Sequence, residues 1–226
     1  MSSDEMKRAA ALAALQHLPQ AGVLGLGTGS TTRFFIEAVG ALVRDGRKLS
    51  CVPTSRASRA LAESCGIPLL DDSGPWQLDV CVDGADEVTP ELDLIKGGGG
   101  AHTREKIVNQ AAKKNVIIVD DSKLVERLGA TRKVPLELLP FGLHTTLAAL
   151  GAFGQPELRL VDGAPLMSDS GNYIVDLATG PLADPRKLDL ALHGLPGVVE
   201  TGLFIGRADV VVVASAGGVS ELRHKN

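Results

Sequence analysis

The sequence predicts an α/β protein: a parallel sheet covered by helices on both faces, interrupted near its end by a small α+β domain. Three observations carry this. Apolar runs such as 79–82 and 115–119 do not alternate with polar residues, so both faces of their sheet are buried. Helical segments separate these runs, as connections between parallel strands require. After about Gly129 the order becomes β-α-β-β-α-β, and Ala208 to Ala214 (ADVVVVA) then returns to the fully buried type.

The elements follow in order. Residues 4–17 place Ala and Leu on one face of a helix. Residues 22–27 (GVLGLG) form a short apolar strand that runs into Thr28-Gly29-Ser30-Thr31-Thr32, where a helix can begin. A strand over 49–55 and a helix over 56–65 come next, then strands over 67–70 and 79–82 and a short apolar one over 92–95. Residues 103–114 are helical, and 115–119 are a buried strand. In the second part, 133–139 is a strand ending in Pro140, and 144–153 is a helix. Strands over 157–161 and 173–177 flank a polar turn, followed by a helix over 185–193 and a strand over 198–204. That is the split β-α-β, or ferredoxin-like, order. The expected division is therefore 1–129 with 205–226 for the parallel-sheet domain and 130–204 for the insertion, with a solvated tail over 223–226.

Composition removes several function classes. At 226 residues the chain can bury a sizeable core. Its formal net charge of −4 offers no basic face for nucleic acid, and one Trp, one Tyr and five Phe leave few platforms for base stacking. Cys51, Cys65 and Cys81 form no CxxC pair and suit small core residues of a reducing compartment. The N-terminus carries acids where a secretion signal carries bases, and no run approaches the roughly 18 apolar residues of a membrane span. A soluble cytoplasmic protein is expected.

Packing does not explain Asp83-Gly84-Ala85-Asp86-Glu87 followed by Lys96-Gly97-Gly98-Gly99-Gly100. Successive glycines lose conformational entropy on folding and bury nothing in return, unless a ligand lies against the backbone. Gly25 to Thr31 (GLGTGST) would present backbone N–H groups and hydroxyls to an anion at a helix start, although it also serves as a tight turn with an N-cap. It lacks the third glycine and the downstream acid of a dinucleotide site, so a single phosphate suits it better. Asp83 and Asp86 can accept hydroxyls or move protons, or can be exposed acids of a turn. An oxygen-ligated cation on Asp83, Asp86, Asp120 and Asp121 is a second reading, though the five histidines are scattered. Lys96 can neutralise a developing oxyanion, and Glu105 in a first helical turn can be a base or simply favoured by the helix dipole. The GLGTGST, DGAD, KGGGG and DDSK turns all follow expected strands, so a parallel sheet would gather them on one edge. That inventory suits proton transfer beside a carbonyl on a small phosphorylated polyol.

These motifs, with Pro196 to Phe204 (PGVVETGLF), resemble type A ribose-5-phosphate isomerases in order and spacing over nearly the whole chain. The resemblance implies a Rossmann-like α/β domain with a small α+β insertion, no cofactor or metal, and a homodimer or homotetramer acting on a small sugar phosphate. It implies that Glu105 is the base and that Asp83, partnered by Asp86, assists ring opening. It implies that Lys96 steadies the enediolate. Thr28, Gly29, Ser30, Thr31, Gly84, Ala85, Gly97, Gly98 and Gly99 would line the substrate, and Lys7 and Lys123 would contact its phosphate or hydroxyls. Two other classes are open: a sugar-phosphate sensor, which would not need Glu105 and Lys96 together, and a coenzyme A transferase-like enzyme, in which Glu105 would be acylated.

Overall fold

The computed structural model describes residues 1–224. In chain order the first elements are α1 (Ser3–Ala13), β1 (Ala21–Leu26), α2 (Ser30–Arg44), β2 (Lys48–Pro53), α3 (Arg56–Ser64), β3 (Val80–Asp83), β4 (Glu87–Val88), β5 (Leu94–Ile95), α4 (His102–Gln110) and β6 (Asn115–Asp120). Then come β7 (Val134–Leu138), α5 (Leu143–Leu150), β8 (Gln155–Leu158), β9 (Leu160–Val161), β10 (Ala164–Pro165), β11 (Tyr173–Ala178), α6 (Pro185–His193), β12 (Val198–Thr201), β13 (Leu203–Phe204), β14 (Val210–Ser215) and β15 (Gly218–Arg223). The chain divides into two compact units. One comprises Met1–Ala85, Arg104–Lys123 and the segment from Arg207; the other comprises Asp86–Thr103 and Leu124–Gly206.

The first unit is built on a six-stranded sheet in the order β15-β14-β6-β3-β1-β2, parallel except for β15. Its strands are β-branched and unalternating because both faces are covered. Val80 and Val82 join the core with Leu24, Leu26, Phe35 and Ile36, whereas Cys81 on the opposite face packs with Val52, Leu78 and Val108. Helix α1 opens with a capping box between Ser2 and Glu5 and buries Ala10 and Ala11 completely. Gly25 lets α4 approach the sheet closely, since a Cβ there would lie 2.7 Å from Val108 Cγ1.

Two expectations change in this unit. Residues 67–70 make only an isolated parallel bridge, Leu69 with Cys51. Pro68 has no N–H to continue a ladder, so the pairing is limited to Cys51 N donating to Pro68 O and Leu70 N to Cys51 O. The tail is a sheet edge up to Arg223: Gly218, at φ +125°, follows a turn that reverses the chain into β15. Arg223 is exposed as expected, the His224 ring lies 3.0 Å from Ala208 O, and residues 225 and 226 lie outside the described residues.

The second unit carries a four-stranded antiparallel sheet in the order β12-β7-β11-β8, with α5 and α6 supplying the two crossovers. This is the expected ferredoxin-like order. Its core gathers Leu128, Val134, Leu136, Leu138, Leu150, Val175, Leu177 and Leu192. Helix α6 starts with Asp184 accepting from Lys187 N at 2.9 Å and with Pro185 in its first turn. The unit also contains a small antiparallel ribbon, β13-β5-β4, so it extends beyond 130–204 and takes in 86–103.

The ribbon corrects a further expectation. The chain turns back at Leu92, whose φ is +64° and whose N–H bonds to Thr89 O, so β4 and β5 form a hairpin. The glycine run therefore follows an antiparallel strand of the second unit, not a strand of the parallel sheet. The strand expected over 198–204 is likewise two, β12 and β13, in different sheets. They divide at Gly202, where a Cβ would lie 2.3 Å from Lys96 O.

Candidate active site

In the first unit the turn after β1 and the end of β3 form one structure. Asp83 is 3% exposed, and its Oδ1 accepts from Thr28 N at 3.1 Å and from Gly84 N at 2.7 Å. Two amide donors on one oxygen fix the plane of the carboxylate. Gly27 makes this approach possible, for a Cβ there would sit 2.0 Å from Asp83 Oδ1. Gly29, at φ +126°, then swings the chain into α2. Helix α2 has no side-chain cap and no acid in its first turn, in contrast to α1. Ser30 is exposed and Thr31 half-buried at this uncapped start.

The Thr28 hydroxyl is drawn into a cluster with Thr54 Oγ1 at 2.7 Å, Ser55 Oγ at 2.8 Å and Ser58 Oγ at 3.2 Å. Ser58 in turn donates to Gly27 O at 2.7 Å. Thr28 therefore locks the turn to the start of α3 with its side chain and serves Asp83 with its amide. Sequence reasoning missed Thr54, Ser55 and Ser58; the available signal was a hydroxyl-rich PTSRAS run at the end of β2. Glu105 is in the first turn of α4 and is 4% exposed, far more buried than dipole preference alone requires. Lys7 projects from α1 and lies 3.7 Å from Asp4, and Lys123 ends a short 3₁₀ turn over Asp121–Lys123, half-buried. Asp120 Oδ1 accepts from the Ser122 amide and hydroxyl. Among the described residues no three His, Cys, Asp or Glu side chains converge as a cation site.

In the second unit Asp86 Oδ2 accepts from Gly98 N at 2.8 Å, and Asp86 N donates to Ile95 O at 2.8 Å. A Cβ on Gly98 would meet Asp86 Oδ1 at 2.7 Å, so the glycine is needed for close approach. Lys96 is 3% exposed, with Nζ 5.4 Å from the centre of the Phe204 ring. Gly97 is buried, whereas Gly98 and Gly99 are exposed. Next to the ribbon, Glu87 is fully buried and accepts from the amides of Gly129, Thr131 and Arg132 and from the Thr131 hydroxyl. Its place at the end of DGADE is structural: one carboxylate fixes the 129–132 loop.

A sequence model of the family described as ribose 5-phosphate isomerase A (phosphoriboisomerase A) matches residues 50–218, well over half of the chain. The chain belongs to this family. A ribose-5-phosphate isomerase A from Thermosynechococcus vestitus is 46% identical over 222 residues, covering 94% of each chain. One from Nitrobacter hamburgensis is 48% identical over 229 residues, covering 97% of each. Among solved structures, a D-ribose-5-phosphate isomerase in complex with phospho-erythronic acid matches with a TM-score of 0.95 at 38% identity, over 99% of this chain and 100% of that one. The ribose 5-phosphate isomerase A of Methanocaldococcus jannaschii gives 0.93 at 37% identity, over 98% and 100%. The α/β class with its smaller antiparallel sheet is thus the fold of ribose 5-phosphate isomerases A. Among the described residues no helix is long and apolar enough to cross a membrane.

Proposed function

We propose that this chain interconverts D-ribose 5-phosphate and D-ribulose 5-phosphate through an enediolate, within the non-oxidative pentose phosphate pathway. Membership of the ribose 5-phosphate isomerase A family, over nearly the full length, is the observation that carries this reading. The relative solved with phospho-erythronic acid supports a phosphorylated polyol as the ligand. The uncapped start of α2, with Ser30 and Thr31, would receive the phosphate, assisted by Lys7 and Lys123. Asp83, fixed in place by two amides, would take the proton of the C1 hydroxyl and hand it to the ring oxygen as the C1–O bond breaks and the sugar opens. Gly84 and Ala85 would line the sugar beside it, and Asp86, tied to Gly98 N, would bond its hydroxyls.

Glu105 then removes the proton from C2 of the open aldehyde. The C–H electron pair becomes the C1=C2 double bond, and the C1 oxygen takes the negative charge. Lys96 and the amides of the glycine run offset that charge. The O2 proton passes to O1, Glu105 returns its proton to C1, and the carbonyl is left at C2. The burial of Glu105 and Lys96 suits this work, since charge interactions strengthen where water is excluded. The same reading places the protein in the cytoplasm as a homodimer or homotetramer. Phe141, 94% exposed, and Leu190, 70% exposed, supply apolar surface for association.

The test is proton NMR of D-ribose 5-phosphate with the protein in deuterated water. Ketose formation with solvent deuterium appearing on the sugar carbons is expected, and Glu105→Gln should keep the fold and substrate binding while losing turnover. An aldose that binds and stays unchanged would refute the reading. Turnover by Glu105→Gln above about a few per cent of the native rate, short of the roughly 10²–10⁴-fold loss that removing a general base brings, would remove Glu105 as the base.

A further inference from the structure

The reaction above gives no task to Arg159, whose guanidinium is bonded at every nitrogen. Arg159 lies 62 positions beyond Gly97, just after β8, in no motif. Its Nε and Nη2 fork onto the two carboxylate oxygens of Asp176 at 2.8 and 2.5 Å. Its Nη1 donates to Gly97 O and to Gly98 O, both at 3.0 Å. Asp176 is on β11, paired on both sides within the four-stranded sheet, so the direction of the guanidinium is set by a rigid element.

Consider what these bonds do to the peptide planes. The peptide joining Gly97 and Gly98 is held at both ends, its oxygen by Arg159 and by Gly100 N at 2.9 Å, and its N–H by Asp86. The next peptide is held through Gly98 O. A peptide is planar and trans, so its N–H points opposite to its C=O. Holding Gly98 O therefore aims the Gly99 N–H away from Arg159, at a position that is exposed. Without such a hold, successive glycines would sample many orientations.

We propose that Arg159, held by Asp176, is a positioning residue of the isomerase site. It fixes the Gly97–Gly98 and Gly98–Gly99 peptide planes, and with them the aim of the Gly99 N–H and the seat of Asp86. This rests on the reading that the glycine run faces the substrate. A merely structural arginine would add stability and leave the reaction's geometry alone.

A cavity of about 460 Å³, lined in part by Asp86, Gly98, Arg132, Arg159 and Asp176, gives small molecules access to the guanidinium, which provides a direct test. In Arg159→Ala, kcat should fall by about 10- to 100-fold, the scale of a misplacement near 1 Å, with KM changed less than kcat. Added guanidinium ion should restore part of that kcat. Arg159→Lys should not, because an ammonium cannot fork onto Asp176 and also reach two carbonyls. Amide hydrogen exchange over 97–101 should accelerate in Arg159→Ala while exchange over β6 is unchanged. Unchanged exchange over 97–101, or native kcat and KM, would overturn the proposal, as would a loss of kcat that guanidinium does not relieve. If Arg159→Ala fails to fold, Asp176→Asn keeps the arginine and breaks its fork. It should loosen the same segment, and native exchange there would be equally fatal. If the native protein does not isomerise the sugar, the functional reading fails, and the exchange measurement still decides whether the clamp exists.

Discussion

Gly27→Ala tests how Asp83 is held. The added Cβ would lie 2.0 Å from Asp83 Oδ1, 2.2 Å from its Cγ and 2.6 Å from its Cα. Ordinary contact begins near 3.4 Å, so the carboxylate must retreat by about 1.4 Å (3.4 less 2.0), and the backbone atom leaves no rotamer that relieves everything. Such a shift breaks the bonds to Thr28 N and Gly84 N, now 3.1 and 2.7 Å. Overpacking of this kind costs about 1–3 kcal/mol, and displacing a reacting group by about 1 Å costs about 100-fold in rate. The protein should therefore fold with a lower urea midpoint and lose about two orders of magnitude in kcat/KM for ribose 5-phosphate, read by NMR. Gly29→Ala is the contrast. Its Cβ would meet nothing within 4 Å, and only its φ of +126° is strained, so Asp83 keeps both amides. A Gly27→Ala enzyme with native kcat/KM would refute the argument that Asp83 acts from this position.

Three further outcomes follow from buried groups. Glu87→Ala should cost about 3–5 kcal/mol in chemical unfolding, because it strands three amides and a hydroxyl that one carboxylate now satisfies. A loss under about 1 kcal/mol, the size of an ordinary surface change, would contradict that. Burial holds the His17 imidazole below its usual range although Glu221 Oε1 lies 2.7 Å away, with Lys114 and Arg223 opposing protonation. The unfolded chain then binds more protons just below about pH 6.5, so stability should fall as pH drops through that window, by at most about 1.4 kcal/mol per pH unit. His17→Gln should flatten urea midpoints measured across the same window, and an unchanged slope would rule out His17 as the source. Burial pushes the Cys51 thiol up to about 12, so Cys51 should stay unmodified by a thiol reagent in the native protein while half-buried Cys65 reacts. Modification of Cys51 at the rate of Cys65 would contradict it.

What the sequence made legible was local. The NVIIVD and VVVVAS runs declare buried parallel strands because their β-branched residues leave no polar face, and the β-α-β-β-α-β order is readable from the succession of short apolar runs, helical periods and polar turns. Illegible parts depended on partners distant in the chain. Strands of two residues such as Leu94–Ile95 have no period to read, so the sequence does not separate this ribbon from the parallel sheet or show that the KGGGG turn follows an antiparallel strand. Nor does anything in LRLVD mark Arg159, since an arginine in a short strand is usually solvated. The hydroxyls of Thr54, Ser55 and Ser58 carry a visible composition but no visible addressee. The division has a physical source. A motif can state that glycines are needed at 97–100, because that requirement concerns backbone freedom at those positions. Beyond the local bond from Gly100 N to Gly97 O, it cannot state what holds such a backbone still, because Asp86 and Arg159 reach it from elsewhere in the fold. Glycine flexibility and Arg159 rigidity are thus two halves of one requirement, and only the first half has a local signature.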